Sequence, residues 1–239
     1  MVLIRSLVFN VLFYGMTAVM VTVGLPLLLL PQRIVVFYAN IWAGGLRLLL
    51  KIVGISHRIS GPMPEGQVIY AAKHQSAWET VILYMELGNP APVLKRELVY
   101  LPIMGFYFLR IPAVPIDRGA GSKALRMLME TASQIADAGH SILIFPQGTR
   151  VAPGASHPYH IGTFAVYKAT GLPVVPVALN SGLFWSRAAF IKRPGRIDVT
   201  LGEPIPPGLD RKAFMARLEN EIENATLVLP GMAAAEKTG

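Results

Sequence analysis

Ser122–Phe145, SKALRMLMETASQIADAGHSILIF, decides the fold class. Leu125, Leu128, Met129, Ala132, Ile135 and Ala136 recur at three- and four-residue steps, so they share one face of a helix over Ser122–Ala138. Gly139 follows where such a helix ends in a glycine cap. Ser141–Phe145 then runs apolar without alternation, the pattern of a strand covered on both faces. A helix feeding directly into a buried strand is the repeating unit of an α/β domain.

The same alternation extends in both directions. Gln67–Ala72, Ala91–Lys95, Ala113–Ile116, Val174–Leu179 and Arg196–Leu201 read as strands. Between them Ala77–Leu87, Tyr100–Leu109 (with an early Pro102) and Thr163–Ala169 read as helices. Asp210 is placed to cap a last helix running to about Thr226, and the tail Ala233–Gly239 is expected to fray. The pattern predicts an α/β fold, a mostly parallel sheet covered by helices. It shows no internal repeat.

The N-terminus differs in kind. Leu7–Leu30 has 24 residues and no charge, which as a helix is about 36 Å long against a hydrocarbon thickness of about 30 Å. Asn10, Tyr14, Gly24 and Pro26 interrupt it only lightly. A cleaved signal peptide is the rival reading, disfavoured by the length of the run and by the lack of a small-x-small site before the proline. Ile34–Ile55 is apolar too, but Arg47 and Lys51 share one helical face. It reads as an interfacial helix, as the return arm of a helical hairpin, or as a helix packed on the domain with its charges solvated. Ser60–Gly66, SGPMPEG, reads as a linker. The expected division is therefore 1–59, an N-terminal membrane-anchoring helical segment, and 60–239, the α/β domain.

Composition narrows the chemistry. There is no cysteine, which removes disulfides, thiolate metal ligands and a cysteine nucleophile together. The net charge is +8, and residues 1–64 hold Arg5, Arg33, Arg47, Lys51 and Arg58 with no Asp or Glu. No arginine-rich run or basic-aromatic interleaving indicates nucleic acid, and cations beside apolar sequence suit an anionic lipid surface. His157-x-x-His160 lacks a third ligand and no His-Glu-x-x-His occurs, so no metal is expected. Neither a Gly-x-Ser-x-Gly elbow nor a nucleotide-binding glycine loop is present, so neither a serine hydrolase nor a nucleotide cofactor is expected.

Three clusters fall at strand ends, where open α/β sheets place their sites. In Lys73-His74-Gln75-Ser76-Ala77-Trp78-Glu79, Glu79 at the start of a helix can reach back to His74 and fix its tautomer, making a general base. Ser76-x-x-Glu79 is equally a capping box, and the two roles are compatible. In Pro115-Ile116-Asp117-Arg118-Gly119, Arg118 sits just ahead of a helix start and could clamp a phosphate; a solvated turn pair is the plainer reading. In Phe145-Pro146-Gln147-Gly148-Thr149-Arg150, glycine permits close backbone approach, while Thr149 and Arg150 offer a hydroxyl and a cation to an anion.

Taken in order, these blocks resemble the lysophospholipid/glycerolipid acyltransferase family, in particular its bacterial 1-acyl-sn-glycerol-3-phosphate members. The family pattern is His-x4-Asp, a Gly…Phe…Ile-Asp-Arg block, Phe-Pro-Glu-Gly-Thr-Arg and a Val-Pro-Val strand. This chain has His74…Glu79, Gly105…Ile116-Asp117-Arg118, Phe145-Pro146-Gln147-Gly148-Thr149-Arg150 and Val175-Pro176-Val177. The resemblance implies His74 and Glu79 as catalytic residues, with Arg118, Gln147, Gly148, Thr149 and Arg150 holding substrate. It implies direct acyl transfer, without cofactor, from acyl-CoA or acyl carrier protein to lysophosphatidic acid or a similar lyso-lipid at a membrane. It implies a bacterial inner-membrane location, and the basic residues after the first apolar run, against Arg5 before it, favour a domain facing the cytoplasm. The alternatives are another acceptor, such as a lyso-ornithine lipid, and an inactive lipid-binding protein that kept the anchor. Two positions depart from the pattern: Glu79 replaces Asp, lengthening the acid by one methylene, and Gln147 replaces Glu, removing a charge.

Overall fold

The computed structural model describes residues 1–117 and 121–236. Its centre is a seven-stranded sheet of β1 (Ile55–Ser60), β2 (Ile69–Ala72), β3 (Ala91–Lys95), β4 (Val114–Ile116), β5 (Ile142–Ile144), β6 (Val174–Leu179) and β7 (Gly195–Leu201). The order is β1-β7-β6-β2-β5-β3-β4. Every neighbouring pair is parallel except β6 and β7. The middle strands β2, β5 and β6 are buried along their whole length, as their unbroken apolar runs require.

Helices α5 (Gly121–Asp137) and α6 (Gly162–Thr170) pack together over one face of the sheet, with α7 (Arg211–Leu227) beside them. Leu128 and Ala132 of α5 are fully buried there with Val166 and Phe214. Asp210 caps α7 as expected, its carboxylate accepting from the Ala213 amide at 2.9 Å. The opposite face carries a π-helical turn, Glu79–Leu83, that runs into the short α3 (Tyr84–Glu86). Trp78, Ile82 and Leu83 are buried there with Leu46 and Leu50 from the N-terminal helices.

Those N-terminal helices are α1 (Val2–Val23) and α2 (Gln32–Leu50), joined by a 3-10 turn Leu25–Leu29. The first apolar run therefore breaks near Gly24, one residue before the turn that contains Pro26. Two of the readings open for the second run hold together: α2 is the return arm of a hairpin, and its Leu46 and Leu50 pack on the domain. Trp42 Nε1 donates to Thr17 Oγ1 at 3.0 Å and the Tyr38 hydroxyl to Met20 O at 2.9 Å, tying the arms together. A buried clasp fixes the hairpin to the domain. Ser6 accepts from the Lys192 amide at 2.9 Å, Asn10 Nδ2 donates to Phe190 O at 2.9 Å, and Phe9 meets Trp185 edge-on at 5.5 Å.

Three expectations need correction. β1 lies inside the stretch assigned to the helical segment: after Gly54, at φ +73°, the chain turns out of α2 and pairs all six residues with β7. Tyr100–Leu109 is not one helix; a 3-10 turn Arg96–Tyr100 is followed by α4, Met104–Arg110, because Pro102 interrupts it. The described part of the expected frayed tail instead belongs to α8, Met232–Glu236, where Met232 is buried with Leu229 and Ala178; residues 237–239 lie outside the described residues.

Candidate active site

Glu79 is the most constrained polar group at the sheet's carboxyl edge. It is completely buried, and burial alone would raise its pKa. The hydrogen bond and charge of His74, with the Ser76 and Gln75 amides, outweigh burial and hold the carboxyl below its usual range. Oε1 accepts from the Gln75 and Ser76 amides at 2.6 Å each, and Oε2 accepts from Ser181 Oγ at 2.8 Å. The capping contact and the contact with histidine thus coexist on one carboxylate.

His74 Nδ1 lies 2.9 Å from Glu79 Oε1. An ionised acceptor requires that Nδ1 carry the proton, which leaves Nε2 with its lone pair. Among the described residues Nε2 has no hydrogen-bond partner. The ring stacks on Phe145 at 4.1 Å, and the residue's backbone is held from both sides. Its amide donates to Gln147 Oε1 at 3.1 Å, and its carbonyl accepts from the Val151 amide at 2.8 Å.

His74 opens on a cavity of about 950 Å³, the size range of small-molecule sites. Most of its wall is apolar, with Met20, Val21 and Trp42 of the hairpin and Leu125 and Leu128 of α5 in its lining. Gly148, Thr149 and Arg150 also line it, so the first and third sequence clusters do meet. Gly148 has φ +63°, a left-handed turn open to glycine. Lys95 and Arg187 join Arg150 on the wall, while no Asp or Glu does among the described residues.

Gln147 sits elsewhere than expected. It is fully buried and does not line the cavity; its carbonyl oxygen holds the His74 amide. That contact needs an acceptor and not a charge, so glutamine serves it as a carboxylate would. Arg118 lies outside the described residues, while Asp117 beside it pairs with Arg96 at 3.5 Å. Ser181, Gln75 and Arg187 also belong to the site, though no sequence motif assigns them a role. Gln75 Oε1 accepts from the Gly182 amide at 3.0 Å, so the loop after β6 is pinned to the loop after β2. Position was the available signal for Ser181, which follows β6 at the edge where the other clusters lie.

An imidazole backed by a buried acid, over an apolar hollow edged with cations, is equipped to take a proton from a substrate that is part apolar and part anionic. Residues 54–180 match the Acyltransferase family, and the chain belongs to it. A 1-acyl-sn-glycerol-3-phosphate acyltransferase of Pseudomonas aeruginosa is 36% identical over 153 residues, covering 63% of this chain and 60% of that protein. One from Cocos nucifera is 29% identical over 177 residues, covering 70% and 58%. The match thus spans about 60% of these relatives' own length. The crystal structure of the 1-acyl-sn-glycerophosphate (LPA) acyltransferase PlsC from Thermotoga maritima shares the fold, with a TM-score of 0.78 at 19% identity, covering 97% of this chain and 98% of that one.

Proposed function

We propose that the protein transfers an acyl group from a thioester, acyl-CoA or acyl carrier protein, to the sn-2 hydroxyl of 1-acyl-sn-glycerol-3-phosphate, giving phosphatidic acid. The observation that carries this reading is the Glu79–His74 pair at 2.9 Å at the wall of a largely apolar cavity. His74 Nε2 removes the hydroxyl proton as that oxygen attacks the thioester carbonyl. The new C–O bond forms, the C–S bond breaks, and the departing thiolate takes the proton back from the imidazolium. The chain has no cysteine, so the acyl group does not pass through a thiol of the protein.

The cavity suits a substrate with one anionic end and one hydrocarbon end. Arg150 and Arg187 have no acidic partner among the described residues, and with Lys95 they offer positive charge to a phosphate. Gly148 and Thr149 stand beside Arg150 on the same wall, and we assign Arg118 to the same headgroup. Holding the headgroup makes the reaction a positioned one. The names of the relatives support this acceptor.

The hairpin serves as the membrane anchor. Its helices, of 22 and 19 residues, are long and apolar enough by length and composition, and the domain at its base acts where the acceptor resides. The cytoplasmic face of a bacterial inner membrane fits this arrangement and the basic residues that flank the hairpin. The test supplies the purified protein with a panel of lyso-lipids and labelled acyl-CoA or acyl carrier protein and identifies products by mass. Phosphatidic acid is expected from wild type and none from a folded His74→Ala variant; wild-type turnover in that variant would remove His74 as the base.

A further inference from the structure

We propose that the strip Tyr100–Leu109, with α4 as its helical part, is a third lipid-inserted element, continuous with the hairpin tip and bound to a bilayer bearing anionic headgroups. The inference rests on the membrane reading above and adds an element that the hairpin does not contain. Residues 101–109, LPIMGFYFL, carry no charge, and their one polar side-chain group, the Tyr107 hydroxyl, donates to Val21 O at 2.9 Å. A helix apolar on all sides ordinarily has all sides covered. Here the inner side, with Met104, Tyr107 and Phe108, lines the cavity, and the outer side is open. On that outer side Tyr100 is 68% exposed, Phe106 57% and Leu109 63%. Large apolar side chains clustered in this way mark an interaction surface, unlike singly scattered ones.

What covers that surface follows from its neighbours. Tyr107 reaches α1, and Arg110 donates to Leu30 O at 2.6 Å, so α4 is laced to the end of the hairpin where Leu29 is 88% exposed. The two apolar surfaces therefore form one. Cations edge it, with Arg33 at the start of α2 and Lys95 at the end of β3 both exposed. Exposed aromatics beside apolar sequence with flanking cations are the composition of a membrane interface. The shape is imposed by the fold: Gly105 packs so tightly that a Cβ there would lie 2.2 Å from Val99 O, and Ile103 is held at φ +62°, a costly conformation for a β-branched residue.

The absence of cysteine makes the test direct. Single-cysteine variants Phe106→Cys, Leu109→Cys, Leu29→Cys at the hairpin tip and Lys212→Cys on α7 are labelled with an environment-sensitive fluorophore. Each is mixed with phosphatidylcholine–phosphatidylglycerol vesicles carrying a spin-labelled acyl chain. Blue-shifted, quenched emission is expected at 106, 109 and 29, and aqueous emission at 212. Quenching at 29 with aqueous emission at 106 and 109 overturns the inference and leaves the anchor reading standing. Aqueous emission at all four positions overturns both. A blue shift at 106 that needs no lipid and grows with protein concentration assigns the surface to a second copy of the chain and also overturns it. The double variant F106D/L109D, which replaces no cavity-lining residue, is expected to lose about tenfold or more activity on vesicle-borne acceptor. Its activity on a short-chain, water-soluble acceptor should be unchanged; equal loss on both would count against the proposal.

Discussion

Glu79 binds three donors through one oxygen and Ser181 through the other, so its value to the site lies in charge and position together. Glu79→Gln keeps the shape and removes the charge that favours proton acceptance at Nε2. We expect kcat to fall by about 10²- to 10⁴-fold with little change in KM, measured by steady-state thioester release. The depressed carboxyl also sets the direction of a pH effect. Its stabilising contribution is fully present above the ordinary carboxyl value of 4.5 and is lost as pH falls below it, through the lower folded value. The cations at the cavity wall predict a different kinetic signature. Arg150→Ala and Arg187→Ala should raise KM for the phosphate acceptor, by about tenfold for the loss of one charge-assisted hydrogen bond. KM for the acyl donor should stay fixed. If Arg187→Ala moves the donor constant instead, that cation serves the phosphates of the donor.

The three loops that meet at the site, after β2, β5 and β6, explain how elements far apart in the chain hold His74 still. Val151 donates to His74 O, Gly182 donates to Gln75, and Pro153 packs so close to Gly182 that a Cβ there would lie 2.8 Å from its ring. Strand ends supply each loop, and the one after β6 carries a single 3-10 turn, Ser181–Leu183. At the opposite extreme, α7 is anchored by an ordinary cap. Asp210→Ala should lower stability by about 1 kcal/mol, read by chemical unfolding, because the Ala213 amide loses its acceptor at 2.9 Å. Turnover should be unchanged, since α7 does not line the cavity.

Across the whole molecule, the seam between hairpin and domain is the unusual feature, for it buries a lysine. Lys192 Nζ donates to Ala189 O at 2.7 Å and to Phe190 O at 3.1 Å, beneath the rings of Phe9 and Trp185. Burial pushes its pKa down to about 8 from the ordinary 10.5. The unfolded chain therefore holds this proton more tightly, and the folded state carries a penalty that is complete below pH 8 and disappears between 8 and 10.5. The Tm of the wild type should rise across that window relative to Lys192→Met, and a difference that stays constant with pH would remove Lys192 as its source. Much of this architecture was legible in the chain itself. The runs at Ala91–Lys95 and Val174–Leu179 are β3 and β6 to the residue, and the clusters at 73–79 and 145–150 do meet at one sheet edge. Periodicity reports which side of a single element is buried, and that information is local. The strand β1 escaped it because ISHRIS is a half-polar edge strand whose identity comes from pairing Ile55 with Gly195, far along the chain. Arg187 and Ser181 escaped for the same reason, lying in a loop whose sequence shows no pattern until β6 delivers it beside Glu79. Sequence determined most of the elements and the pairing of His74 with Glu79. Only the tertiary structure decided that the hairpin and α4 share a wall with the site, because a cavity is defined by residues that no local spacing brings together.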